Sequence, residues 1–119
     1  MEDPYPIGVG EGVEWVDPAY GPYTVALVIR GDSMQPEFRE GDIIIVDPSV
    51  DPQPGDYVVA KNSTEGATFK KYRPRGADAA GNRVFELVPL NDDYPTLRSD
   101  QEPLQVVGVM VEHRKKRRR

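Results

Sequence analysis

Two short segments carry residue types that could perform nucleophilic chemistry. Ser33 lies in GDSMQP at positions 31–36, and Lys70 follows it by 37 positions in TFKKY at 68–72. A serine hydroxyl is a weak nucleophile until a neighbouring base takes its proton. The single histidine, His113, opens a basic C-terminal segment and is a poor candidate for that base. A neutral lysine can replace histidine, because Ser-Lys pairs are a known variant of the catalytic triad. The two segments therefore predict a hydrolase without a triad.

The lysine can act as a base only where the fold removes water from its amine. A free lysine has a pKa of about 10.4, and burial lowers that pKa by roughly 3 to 5 units. We expect a pocket lined by Met34, Phe69 and strand residues to provide this burial. Alternation along a strand places Lys70 and Lys71 on opposite faces, so this pattern alone does not decide which of them is the base.

The residues around Ser33 suit a sharp turn at the end of a strand. Gly31 would let the backbone turn, and Pro36 would stiffen the turn after the serine. Backbone amides near Ser33 and Met34 would then point at a developing oxyanion, which is usually the largest electrostatic contribution to acyl transfer. The residues predicted to shape the site are Gly31, Asp32, Met34 and Pro36. The alternative is a plain Gly-Asp turn that Ser33 merely caps.

Composition frames this interpretation. A chain of 119 residues forms one small domain, and its longest apolar runs are far shorter than the roughly 20 residues that span a bilayer. The absence of cysteine excludes disulfides and thiolate metal sites, and no other metal or cofactor site is expected. The last six residues hold six of the fifteen basic side chains, which leaves nine against twenty acidic ones, or −11, elsewhere. We expect a soluble, cytoplasmic protein with an acidic body that repels nucleic acid.

The distribution of glycine and proline favours short strands over long helices. Residues 1–22 are predicted to form an extended N-terminal arm. Residues 112–119 are predicted to form a disordered basic tail, and the alternative is a tail that binds phosphates. Between them lie six apolar, β-branched or aromatic runs bounded by turn residues. These predicted strands are residues 24–30, 42–46, 57–61, 67–73, 83–88 and 106–111. The sequence therefore predicts a mostly β domain.

Several motifs carry a family resemblance over residues 23–111. Besides GDSM and TFKK, the chain contains VDP at 46–48, PGD at 54–56, and PLN at 89–91 with YP after it at 94–95. In this order they resemble the LexA-type self-cleaving repressors, and phage repressors of the lambda type most of all. The resemblance implies a small twisted-sheet or barrel-like Ser-Lys peptidase fold, with Ser33 as nucleophile and Lys70, not Lys71, as base.

The resemblance also implies partners and a substrate. Proteins of this family cut their own chain between a small residue and glycine, and the family's spacing places that bond at or before Met1. We therefore expect the chain to be the C-terminal portion of a longer cytoplasmic repressor in a bacterial host, truncated near its cleavage site. Family repressors bind operator DNA through an N-terminal helical domain, form dimers and are stimulated to self-cleave by RecA filaments. Here the predicted dimer contacts are Val107, Val109, Met110 and Val111, which could equally belong to an internal core strand.

Two other functions remain open from the sequence. Type I signal peptidases share a Ser-Met-x-Pro box and a lysine base, but they need a membrane anchor. A catalytically silent dimerisation module would keep Ser33 and Lys70 without any activity. Self-cleavage of a version extended upstream would distinguish these from an active repressor domain.

Overall fold

The computed structural model describes residues 5–6, 16–62 and 66–117, and in them eight strands form one antiparallel sheet in the order β1-β2-β3-β8-β4-β5-β6-β7. No helix occurs among these residues, so none could cross a bilayer. The predicted mostly β fold is confirmed. The strands are β1 (Tyr5–Pro6), β2 (Val25–Val28), β3 (Ile43–Asp47), β4 (Tyr57–Asn62), β5 (Gly66–Ala77), β6 (Arg83–Val88), β7 (Leu97–Arg98) and β8 (Leu104–Arg114).

All six predicted strands are present, and two further ones were missed. β1 and β7 have two residues each, too few to produce an alternating pattern. β1 lies inside the predicted N-terminal arm and pairs with β2, whereas residues 1–4 and 7–15 of that arm lie outside the described residues. The division into an arm, a domain and a tail stays a prediction.

Both faces of the sheet are covered, which explains why several strands lack alternation. Val58 and Val59 are neighbours on β4, yet Val59 belongs to one buried apolar cluster and Val58 to another. Successive side chains of a strand point to opposite faces, so the two clusters lie on opposite sides of the sheet. The first cluster consists of Leu27, Ile29, Met34, Phe38, Ile44, Val46, Val59 and Phe69, and the second of Val58, Ala60, Leu87 and Val109.

The strand β8 joins the two halves of the sheet. Its first half pairs with β4, its second half pairs with β3, and Val109 is paired on both sides. Gly108 allows β3 to approach closely, because the side chain of Val46 occupies the space that a Cβ atom on this glycine would need. β8 is therefore the strand that connects β1, β2 and β3 to β4, β5, β6 and β7.

The predicted tail begins within β8, which continues to Arg114, and the chain is anchored beyond it. The carboxylate of Asp42, which is 1% exposed, accepts hydrogen bonds from the backbone N–H of Arg39 at 3.0 Å and of Lys116 at 2.8 Å. Its Oδ2 atom also lies 2.9 Å from Nε2 of His113. Burial opposes ionisation of Asp42, but these hydrogen bonds outweigh it and lower the pKa of the carboxyl group. The basic segment is therefore fixed at its start.

A second buried carboxylate, Glu86 on β6, is surrounded by three arginines. Arg73, Arg75 and Arg98 each place a guanidinium nitrogen 2.9 Å from its oxygens, and Glu86 itself is 7% exposed. The hydrogen bond from Arg75 has the largest effect, and together these contacts outweigh burial and lower the pKa of Glu86 from its ordinary 4.5 to about 2. The cluster links β5, β6 and β7.

This cluster predicts sensitivity to acid. A carboxylate whose pKa is lower in the folded than in the unfolded chain stabilises the fold above its unfolded pKa, and this contribution is lost as the pH falls through the folded value. We expect the urea concentration at the unfolding midpoint to decrease as the pH is lowered from 4.5 to about 2, the ordinary and the folded pKa of Glu86. Glu86→Gln should make this decrease shallower. Glu37→Gln, at an exposed position, is the matched control. Parallel pH curves for wild type and Glu86→Gln would contradict the prediction.

Candidate active site

Ser33 lies on the connection between β2 and β3, and backbone hydrogen bonds join the two ends of this connection. The N–H of Ile29 donates to the carbonyl of Asp42 at 2.8 Å, and the N–H of Gly41 donates to the carbonyl of Ile29 at 2.9 Å. Gly31 has a φ of 80°, in the left-handed region that favours glycine, so the predicted sharp turn is present there. Ser33 is 1% exposed in this connection.

A hydrogen-bonded turn surrounds the serine and is anchored in the core. The N–H of Gln35 donates to the carbonyl of Asp32 at 3.2 Å, and the N–H of Phe38 donates to the carbonyl of Met34 at 2.9 Å. Met34 is 0% and Phe38 is 1% exposed, and both belong to the first apolar cluster. Apolar anchoring of the two side chains fixes the backbone that carries Ser33.

The predicted base lies next to the predicted nucleophile. Lys70 on β5 is 4% exposed, and its Nζ atom lies 2.8 Å from Oγ of Ser33. Lys71 is only half-buried and pairs with Tyr57 and Val88 in the sheet. Of the two lysines that strand alternation left open, Lys70 is therefore the one in contact with the serine.

The surroundings of Lys70 suit an uncharged amine. Its Nζ atom also lies 2.7 Å from Oγ1 of Thr68 and 3.2 Å from the carbonyl oxygen of Phe69. A neutral amine has two hydrogens and one lone pair, so it can donate to Thr68 and Phe69 and accept the hydroxyl proton of Ser33. Burial favours this uncharged form because it disfavours the ammonium ion. The arrangement can therefore activate a serine for attack on a carbonyl carbon.

The other residues predicted to shape the site occupy different positions around the turn. Met34 is buried beneath it, whereas Asp32 and Pro36 are exposed, and Pro36 comes after a cis peptide bond. The carboxylate of Asp32 accepts a hydrogen bond from the hydroxyl of Tyr94. Asp32 thus connects the serine turn to the loop between β6 and β7.

Two residues at this site received no role from the sequence. Thr68, fully buried, contacts the amine of Lys70, and its signal was its position two residues earlier on the same face of the strand. Asn91 bonds the serine turn twice: its N–H donates to the carbonyl of Ser33 at 2.9 Å, and its Nδ2 donates to the carbonyl of Asp32 at 3.2 Å. The PLN motif contained Asn91, but only the fold shows which groups the asparagine contacts.

His113 does not belong to this arrangement. The Nε2 atom of His113 lies against Asp42, and its ring packs on Phe38 with ring centroids 4.4 Å apart. Within residues 16–62 and 66–117, no three His, Asp or Glu side chains are grouped as metal ligands would be.

The residues predicted to form a dimer interface lie on β8, and one of them must be corrected. Val109 is 3% exposed and belongs to the second apolar cluster, because β8 is paired on both sides at this residue. Its side chain is therefore a core side chain. Val107 and Met110 pack partly against the first cluster, and Val111 is half-buried, so these three stay predictions.

Comparison with known proteins agrees with the fold. The model of the family described as Peptidase S24-like matches residues 9–111. A LexA repressor of Cereibacter sphaeroides is 36% identical over 87 residues, covering 72% of this chain and 36% of the relative. Repressor protein C2 of Salmonella phage P22 is 40% identical over 91 residues, covering 72% of this chain and 39% of the relative.

These matches also define which region is shared. The chain spans less than two fifths of the length of these repressors, so the likeness concerns one part of each relative. The matched region contains Ser33, Lys70 and every strand from β2 to β7. On the family match and the identity to its relatives, the chain belongs to the Peptidase S24-like family of LexA and phage repressors.

Proposed function

We propose that the chain is the oligomerisation and self-cleavage domain of a phage-type transcriptional repressor, and that it hydrolyses a peptide bond with a Ser33–Lys70 dyad. The observation that carries the proposal is the 2.8 Å contact between the Ser33 hydroxyl and a lysine amine that is itself 4% exposed. A solvated lysine contributes its charge at the surface, whereas a buried one in contact with a serine is suited to accept a proton.

The reaction can be derived from these two groups. Oγ of Ser33 attacks the carbonyl carbon of the scissile bond while its proton moves to Nζ of Lys70. The tetrahedral intermediate then breaks its C–N bond, and Lys70 returns that proton to the leaving amine. A water molecule, deprotonated by the same lysine, hydrolyses the resulting ester and regenerates the Ser33 hydroxyl. Thr68 holds the amine in place through the contact at 2.7 Å.

The substrate that we propose is a segment of the parent polypeptide upstream of Ser33, cut between a small residue and glycine. Intramolecular cleavage suits a buried dyad, because a tethered segment is supplied at high effective concentration. In the parent repressor the cut would separate this domain from an N-terminal domain that binds operator DNA. RecA filaments would stimulate the cut during DNA damage in the bacterial cytoplasm.

The domain would also hold two repressor chains together. A dimer is expected because a palindromic operator is read by a two-fold symmetric protein. Among the described strands, residues 104–106 of β8 pair with β4 on one side only, which would leave their other backbone edge for a second copy. Of the predicted dimer contacts on the same strand, Val107, Met110 and Val111 are partly exposed.

The test is self-cleavage of a version extended upstream by a segment that contains a small residue and then glycine. On incubation at alkaline pH, the wild-type sequence should yield two fragments, and Ser33→Ala should leave the chain intact because the nucleophile is missing. Mass spectrometry of the fragments identifies the cut bond. If the wild-type chain also stays intact while it remains dimeric, the chain is a silent dimerisation module.

A further inference from the structure

The asparagine that bonds the serine turn twice has a consequence for transition-state binding. Its N–H holds the carbonyl of Ser33 at 2.9 Å, and its Nδ2 holds the carbonyl of Asp32 at 3.2 Å. These are the carbonyl groups of two successive peptide units. One residue thus fixes the orientation of both peptide planes at the nucleophile.

Fixing the carbonyl groups also fixes two N–H groups. In a trans peptide unit the carbonyl oxygen and the next residue's N–H point in opposite directions. Among the described residues the only cis bond is Gln35–Pro36, so both units around Ser33 are trans. With the Asp32 and Ser33 carbonyls held by Asn91, the N–H groups of Ser33 and Met34 face the opposite side of the turn.

We propose that Asn91 is a positioning residue that directs the N–H groups of Ser33 and Met34 at the oxyanion of the tetrahedral intermediate. This inference rests on the proposed function and adds a group that touches neither the substrate nor Lys70. Preoriented donors stabilise an oxyanion because they need no reorganisation during the reaction. A rotation of either peptide plane would turn a donor away from the developing charge.

Asn91 is itself held rigidly. Its Oδ1 accepts a hydrogen bond from the N–H of Asp93 at 3.0 Å, which fixes the side chain so that Nδ2 faces Asp32. The N–H of Tyr94 donates to the carbonyl of Asn91 at 3.1 Å, and the Tyr94 hydroxyl bonds the Asp32 carboxylate. The loop therefore forms a stable support for the backbone of the serine turn.

The experiment measures phosphonylation of the full chain by a fluorophosphonate. Oγ of Ser33 attacks phosphorus, fluoride leaves, and the serine proton moves to Lys70, while the phosphonyl oxygen takes the place of the oxyanion. Intact-mass spectrometry measures the rate against pH, with Ser33→Ala as the unlabelled reference. Asn91→Asp keeps the acceptor for Asp93 but loses the Nδ2 donor, and Asn91→Ala removes both without adding charge.

Both variants should lower the plateau rate by about tenfold to a hundredfold, somewhat less than the loss of an entire oxyanion donor. In Asn91→Ala, which adds no charge, the pH midpoint of the rate should stay unchanged, because it reports the base and not the oxyanion site. A merely structural role would instead appear as a lower melting temperature with the same plateau rate. Asn82→Asp, an exposed asparagine in the turn after β5, is the matched control and should behave as wild type.

Two failures can be told apart. If the wild-type chain is not labelled at Ser33, the proposed function fails, and this inference fails with it. If wild type is labelled and folded Asn91→Asp and Asn91→Ala match its plateau rate, only the role of Asn91 is overturned. A shifted pH midpoint in Asn91→Ala would also overturn it, because the asparagine would then act through the lysine.

Discussion

Replacing Lys70 by methionine or arginine is expected to reduce self-cleavage of the upstream-extended chain by roughly 10²- to 10⁴-fold, the usual contribution of a general base. Methionine fills the space of the lysine stem but cannot accept a proton. Arginine keeps the positive charge and cannot be deprotonated in proteins, so it tests whether the amine must become neutral. The measurement is the initial rate of fragment formation against pH, which in wild type should rise as the amine loses its proton.

The neighbouring lysine supplies the control. Lys71→Met and Lys71→Arg change the same residue type one position along β5, at a half-buried site away from Ser33 in the alternation of the strand. Both should cleave at a rate close to that of wild type. Equal losses at the two positions would show that the region tolerates no change, and retained cleavage in Lys70→Arg would exclude the lysine as the base.

Phe38→Ala is expected to destabilise the fold by roughly 3–5 kcal/mol, the usual cost of emptying a large aromatic position in a core. The ring of Phe38 is 1% exposed and meets three others, with centroids at 4.7 Å for Tyr57, 4.9 Å for Phe69 and 4.4 Å for His113. Its loss leaves a cavity between the serine turn, β5 and β8. Urea unfolding monitored by fluorescence or circular dichroism measures the change.

The same substitution at an exposed aromatic residue provides the comparison. Tyr23 is 78% exposed, so Tyr23→Ala should change the free energy of unfolding by no more than about 0.5 kcal/mol. A loss below about 1 kcal/mol in Phe38→Ala would mean that the core closes around the vacated space. Because Phe38 also anchors the turn after Met34, its variant should cleave more slowly even under conditions where it is folded.

The strands could be predicted from the sequence more completely than the site. Runs such as residues 43–46 and 83–88 were recognisable as strands because β-branched residues lie between turn residues. β7 was not recognisable, because two residues between polar turns are too few to show an alternating pattern. The extension of β8 to Arg114 was hidden because a basic sequence favours solvent. The strand continues because residues 112–114 pair with β3, and the carboxylate of Asp42 anchors His113 and Lys116.

At the site, the sequence pointed to the two candidate reacting groups but not to the residues that support them. Ser33 and Lys70 belong to motifs with recognisable spacing, and their contact at 2.8 Å agrees with the pairing that this spacing predicted. Asn91 contacts the Ser33 carbonyl through its backbone N–H, and a pattern of side chains cannot predict a backbone contact across 58 positions of sequence. Val109 was predicted at an interface because an apolar strand has the same sequence pattern whether it packs against another copy or within its own sheet.

The bond between Asp42 and the N–H of Lys116 has an evolutionary consequence. It involves the main chain and not the side chain, so every amino acid except proline, which lacks that hydrogen, could preserve it. The charge of the side chain at position 116 can therefore change during evolution without loss of this hydrogen bond. Homologues with neutral or acidic endings should retain the aspartate.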